Sequence, residues 1–221
     1  MASSRPVGGV LWDLDGTLID SADQHYVAWR DALARRGRGH TREEFMQGFG
    51  KRNDLVLRAI FGDTLPPEEA ARVADDKEER YRRLVRKEGL EPLPGVMDWL
   101  SRLRERGFRQ ALATSAPPAN VAVVIQVLGL DRFLDATATA DDVERGKPDP
   151  DIFLEAARRI DVPPERCVVV EDSPYGLEAA RRAGMKSVGI LSDHHRELGA
   201  DLVVPSLSAL APGAFADLLG R

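Results

Sequence analysis

The stretch "GGVLWDLDGTLID", residues 8–20, runs Val10, Leu11 and Trp12 straight into Asp13 and Asp15, two carboxylates with one residue between them. A short apolar run without polar alternation is the pattern of a strand buried on both faces of a parallel sheet. The pattern recurs in "RQALATS" (109–115), "CVVVED" (167–172), "KSVGIL" (186–191) and "ADLVVPS" (200–206). Helical patterns lie between them. "PGVMDWLSRLRERG" (94–107) carries Val96, Trp99, Leu100 and Leu103 on one face and stops at a glycine, and "PDPDIFLEAARRI" (148–160) and "SPYGLEAARRAG" (173–184) each begin near a proline. Strands alternating with helices predict an α/β fold, a doubly wound, mostly parallel, Rossmann-like sheet.

Residues 21–91 break that rhythm. They read as "SADQHYVAWRDALARRG", "TREEFMQGFG" with Thr41 and Glu44 spaced as a capping box, "KRNDLVLRAIFG" and the charged "PPEEAARVADDKEERYRRLVRKEG", helices with no convincing strand. The predicted organisation is a Rossmann-like core of residues 1–20 and 92–221 with a helical domain inserted at 21–91. The proline-rich "LEPLPG" (90–95) leads back to the sheet.

The 221 residues suffice for one core and such an insertion, and 43% hydrophobic with 30% charged residues is the balance of a folded globular chain. A formal charge of -5 gives no global attraction to nucleic acid. No apolar run approaches the roughly 18–20 residues of a membrane span, and the single cysteine, Cys167, fits a reducing compartment. The expectation is a cytoplasmic monomer acting on a small molecule, without nucleic-acid or membrane partners.

In an open parallel sheet ligands bind beyond the carboxyl ends of the strands, so polar residues directly after apolar runs are the ones to question. Asp13 and Asp15, Thr114 and Ser115, and Glu171 and Asp172 qualify, and Lys147 in "RGKPDPDIF" precedes a helix. A lone strand-end aspartate is commonly a turn or cap residue. Four carboxylates gathered at one edge repel one another and call for a cation, most simply Mg²⁺ with its oxygen ligands. Lys147 and the Thr114 hydroxyl then suit a phosphate group.

"DLDGTLID", "ATS", "GKPDPDIF" and "VVVEDSPYGLEAARRAG" resemble, in order, the four motifs of the haloacid dehalogenase (HAD) superfamily, over Val10 to Leu191. The branch resembled carries a helical cap after the first strand and includes β-phosphoglucomutase and sugar-phosphate phosphatases. The resemblance implies Asp13 as nucleophile, Asp15 as proton donor and acceptor, and Thr114 and Lys147 as phosphate-binding catalytic groups. It implies Mg²⁺ held by Asp13, the Asp15 backbone carbonyl and Asp172, with Glu171 a ligand directly or through water. Asp15 favours phosphate chemistry over dehalogenation, because expelling an alkoxide benefits from a proton donor and a halide needs none. Gly16 is expected to turn the backbone under the phosphate, and Thr17 and Ser115 to serve as orienting donors, with turn stabilisation the other reading of Thr17.

Substrate contacts are expected from His25, Ser115 and one of Lys51 or Arg52. Lys77 and Tyr81 resemble a KxxxY spacing of the capped branch, which a solvated helical face explains equally. Trp29 and Trp99 read as core, Asp20 as a hinge residue, and His194 and His195 as a surface turn, since adjacent histidines lack chelating spacing. The leading reading is a Mg²⁺-dependent phosphatase of a small phosphorylated metabolite, a sugar or polyol phosphate. The alternatives are a β-phosphoglucomutase-type mutase and, in another class, a phospho-accepting signalling domain.

Overall fold

The computed structural model describes residues 6–192 and 195–221. One sheet carries six parallel strands: β1 (Gly9–Trp12), β2 (Arg109–Ala113), β3 (Ala136–Ala138), β4 (Cys167–Glu171), β5 (Lys186–Ile190) and β6 (Leu202–Val204). Their order is β3-β2-β1-β4-β5-β6. The first strand therefore lies in the middle, and the chain winds outward from it in both directions, placing the topological switch point at β1. Trp12 stands opposite Leu112 and Val170, and the Asp13 N–H donates to the Val170 carbonyl (3.0 Å). That register brings the ends of β1, β2 and β4 level.

The period of two along each strand sorts side chains onto the two faces. Val10, Trp12, Leu112, Val168 and Val170 enter one core, and Leu11, Ala111, Ala113, Cys167 and Val169 the other. The helices covering them include α5 (Val96–Glu105), α6 (Pro118–Leu128), α7 (Asp151–Arg159), α8 (Pro174–Arg182) and α9 (Ala214–Leu218). Gln110 is the polar exception in the centre. It accepts from Trp12 Nε1 (3.1 Å) and donates to the Leu100 carbonyl (2.8 Å), so its buried amide is satisfied.

Between β1 and α5 the described elements are helical: α1 (Ala22–Ala34), α2 (Arg42–Gly48), α3 (Asn53–Phe61), α4 (Pro67–Glu88) and a short 3₁₀ turn. Thr41 and Glu44 form the expected capping box at α2. Phe45, Leu57, Val73, Trp29 and Leu33 make a third, separate core among these helices, while Tyr81 and Val85 of α4 join the core of the sheet. Trp29 and Trp99 are both buried, as expected of core residues.

Three differences from the sequence reading have physical causes. β3 is only "ATA", too short and too small-chained to stand out as an apolar run. α6 is "PANVAVVIQVL", which lacks a polar face. Lys77 and Tyr81 are 3% and 1% exposed, so the solvated-face reading of α4 fails at those positions. Val73, Lys77, Tyr81 and Val85 recur every fourth residue along the buried stripe of that helix. Among the described residues, no helix is long and apolar enough to cross a membrane.

Candidate active site

Asp13, Asp15, His25, Lys51, Arg52, Thr114, Ser115, Lys147, Glu171 and Asp172 all line one cleft of about 1270 Å³ between the strand ends and the helical segment. His195 lines it as well and is half-buried, and its N–H donates to the Ser192 carbonyl (3.3 Å), as in the expected turn. His194 lies outside the described residues.

The centre of the site is a buried lysine among carboxylates. Lys147 Nζ donates to Asp13 Oδ1 (2.5 Å) and Glu171 Oε1 (2.8 Å), and lies 4.9 Å from the Phe153 ring centroid. Burial works against the ammonium charge, but Asp13 and Glu171 outweigh it and hold the Lys147 pKa above its ordinary value. Lys147 is thus a fixed cation. Burial pushes the Asp13 carboxyl up to about 7, with Glu171 and Asp15 adding to the rise and Lys147 opposing it. Asp172 is likewise raised, by burial first and then by the Glu171 and Asp13 charges.

Carboxylate oxygens of Asp13, Glu171 and Asp172 all lie within 4.8 Å of one another. One lysine does not neutralise them, and among the described residues Asp172 receives only a long bond from the Thr17 hydroxyl (3.3 Å). Buried, crowded, oxygen-only donors with excess negative charge fit a hard divalent cation. Glu171 has other obligations, since its Oε2 accepts from the Ser173 N–H (2.6 Å) while its Oε1 holds Lys147. Gly16 is required beside this cluster. Its φ is +91°, and a Cβ there would stand 2.3 Å from Asp172 Oδ2.

Asp15 sits apart from that cluster. Its Oδ1 accepts from the Ser21 hydroxyl and is 3.4 Å from His25 Nε2. Burial raises its pKa, but the His25 hydrogen bond and charge and the Ser21 hydroxyl prevail and hold it below the usual carboxylate range. The His25 ring stacks on Tyr81, centroids 3.8 Å apart and planes 6° from parallel, which fixes the imidazole. Thr17 is wholly buried against Asp172, beyond a mere turn residue. Thr114 Oγ1 accepts from the Ala116 N–H (3.0 Å), and Asp20 is exposed and accepts from the Ala22 N–H (3.2 Å), as an Asx turn does.

Reading the sequence alone missed Ser21, Asn53, Glu78 and Asn120, all polar and buried or half-buried around this cleft. Ser21 was visible as the residue before α1, six positions from Asp15. Asn53, Glu78 and Asn120 come together only through tertiary packing.

Central strand, switch point and acidic strand ends define an α/β site suited to a divalent cation, and the family model of haloacid dehalogenase-like hydrolases matches residues 7–184. The chain belongs to that family. It is 32% identical to the fructose-1-phosphate phosphatase YqaB of Escherichia coli (strain K12), over 82% of this chain and 95% of that protein. It is also 32% identical to the β-phosphoglucomutase of Bacillus subtilis (strain 168), over 91% and 90%. The crystal structure of CbbY from Rhodobacter sphaeroides in complex with phosphate matches at a TM-score of 0.86 with 30% identity, covering 96% of this chain and 99% of that one.

Proposed function

We infer that the chain is a Mg²⁺-dependent phosphatase that hydrolyses a small phosphorylated metabolite, a sugar or polyol phosphate, through an aspartyl-phosphate on Asp13. The observation carrying this reading is the Asp13–Lys147 pair at the switch point, with Asp172 and Glu171 beside it and Asp15 held separately by Ser21 and His25.

Asp13 attacks phosphorus in line with the ester oxygen, the new O–P bond forming as the P–O bond to the leaving group breaks. Two like charges about 4 Å apart cost on the order of 4 kcal/mol at an effective dielectric near 20, a repulsion that Lys147 reduces from its place against Asp13. Asp15 in its acid form protonates the departing alkoxide. As the carboxylate, the form that His25 and Ser21 favour, it then takes a proton from water, which attacks phosphorus and frees Asp13 and phosphate. The Asp13 and Asp172 side chains, the Asp15 backbone carbonyl and Glu171 would hold Mg²⁺, which when bound supplies further charge neutralisation at the phosphoryl oxygens. Glu171 already accepts from Lys147 and the Ser173 N–H, so it would have the least donor capacity left for the ion, directly or through water. Residues 21–91 act as a cap over the cleft, limiting water and contacting the leaving group through His25 and the loop of Lys51 and Arg52.

A mutase reading has support in the similarity to a β-phosphoglucomutase and in His25 beside Asp15. There the aspartyl-phosphate returns to a second hydroxyl of the sugar. A screen of phosphate esters with Mg²⁺, reading free phosphate, should find a monoester that wild type hydrolyses, and Asp13→Asn should lower that rate by more than about 10³-fold. Activity surviving that substitution moves the nucleophile elsewhere. Conversion of β-glucose 1-phosphate to glucose 6-phosphate, without phosphate release, supports the mutase instead.

A further inference from the structure

Glu78, 6% exposed in α4, is gripped from three directions. Its Oε1 accepts from Lys77 Nζ and Asn53 Nδ2, both at 2.7 Å, and its Oε2 accepts from Asn120 Nδ2 at 2.6 Å. Asn53 opens α3 and Asn120 belongs to α6, so one carboxylate ties two helices of the insertion to a helix of the sheet body. Asn120 Oδ1 in turn accepts from Arg82 Nη1 (3.0 Å). Burial disfavours the Glu78 charge, but Lys77, His25 and Asn53 outweigh it, so the group is an anion.

Asn53, Lys77, Glu78 and Asn120 line the same cleft as Asp13. Without Glu78, Lys77 would be a desolvated cation facing the leaving group, the kind of residue that captures a second phosphate. With Glu78 at 2.7 Å its charge is cancelled where solvent screening is weak. Arg52 is engaged by Asp54 at 3.3 Å. Lys51 is exposed, and the exposed Glu43 and Asp75 line the cleft too. Among the described residues nine carboxylates and four Lys or Arg side chains line it, and Lys147, the other buried cation among these, belongs to the transferred phosphoryl group. At Lys77, what remains for the leaving group is hydrogen bonding through the N–H donors that Glu78 does not take, suited to hydroxyls.

We propose that Glu78 is a specificity-determining residue that confines the cleft to phosphomonoesters of uncharged polyhydroxy alcohols and excludes leaving groups bearing a second phosphate or a carboxylate. This rests on the phosphatase reading. The test compares kcat/KM for hexose and polyol monophosphates, each beside its bisphosphate, with phosphoglycolate as the carboxylated ester and p-nitrophenyl phosphate as a generic one.

Wild type should prefer each accepted monophosphate over its bisphosphate and over phosphoglycolate by at least about tenfold. Glu78→Gln keeps the side-chain shape and one acceptor oxygen while removing the charge, and should narrow the mono-to-bisphosphate ratio by about tenfold. Equal turnover of mono- and bisphosphate by wild type, or an unchanged ratio in a folded Glu78→Gln protein, overturns the proposal while leaving the phosphatase reading intact. No phosphate from any ester, p-nitrophenyl phosphate included, overturns both. If the variant does not fold, the wild-type ratio decides.

Discussion

The two walls of the cleft are built differently. On the sheet side, Asp13, Thr114, Glu171 and Asp172 follow directly from the ends of hydrogen-bonded strands, and their spacing is set by the register of β1 with β2 and β4. On the helical side, Lys51 and Arg52 sit in a loop, and Lys77 and Glu78 are placed by the packing of α4 against α1 and α6. A wall fixed by backbone pairing holds reacting groups to tenths of an ångström. A wall fixed by side-chain packing can vary its contents while the fold persists, which is the division of labour expected between chemistry and selectivity.

The largest effect should come from the sheet wall. Lys147→Met should lower kcat by about 10²–10³-fold. It should also destabilise the protein by about 3–5 kcal/mol, since Asp13 and Glu171 would remain buried without their cation. Steady-state kinetics and denaturant unfolding would measure both. Loss of activity with unchanged stability would show that the lysine is not the counterion its contacts indicate.

The helical wall should respond differently. Leu33, wholly buried in the third core, should cost about 2–5 kcal/mol when replaced by alanine. Hydrogen exchange should localise the loss to α1–α4, with kcat/KM falling more for a sugar phosphate than for p-nitrophenyl phosphate. Equal losses would mean that the two walls are one unit.

The smallest effect lies outside both. Hydrogen bonding by Arg159 holds the Asp142 carboxyl at about 2, and hydrogen bonds from Arg158 and Arg159 hold Glu155 at about 2, against ordinary values of 3.8 and 4.5. Depressed carboxylates stabilise the fold above their unfolded pKa and lose that contribution as pH falls through the folded one. The melting temperature should therefore drop between about pH 4.5 and 2, and drop less in Arg159→Gln. The difference between the two proteins should shrink with added salt, because these carboxylates are largely solvated.

The same contrast explains what could be read from the sequence. Asp13, Thr114, Glu171 and Asp172 were legible because each follows an apolar run whose burial dictates its direction, and Lys147 stood out just ahead of a helix. β3 was not legible, because three residues of alanine and threonine carry too little apolar surface to mark a strand. Glu78 was hidden in "DDKEERYRR", where a buried carboxylate looks like any other charge on a solvated helix. A weak signal did exist: Lys77 lies on the line Val73, Tyr81, Val85, out of place for a residue facing water.

One small feature of the backbone has mechanical force. Ile19 bridges to Asp15 on one side and to Pro92 on the other, and the Leu93 N–H donates to the Leu18 carbonyl (2.9 Å). The chain leaving the sheet and the chain coming back are thereby stitched into one narrow stalk, rooted at the peptide of Asp15. Any swing of residues 21–91 against the sheet must twist that stalk, so under the proposed reaction the opening of the cleft and the aim of Asp15 would be geared to a single pivot.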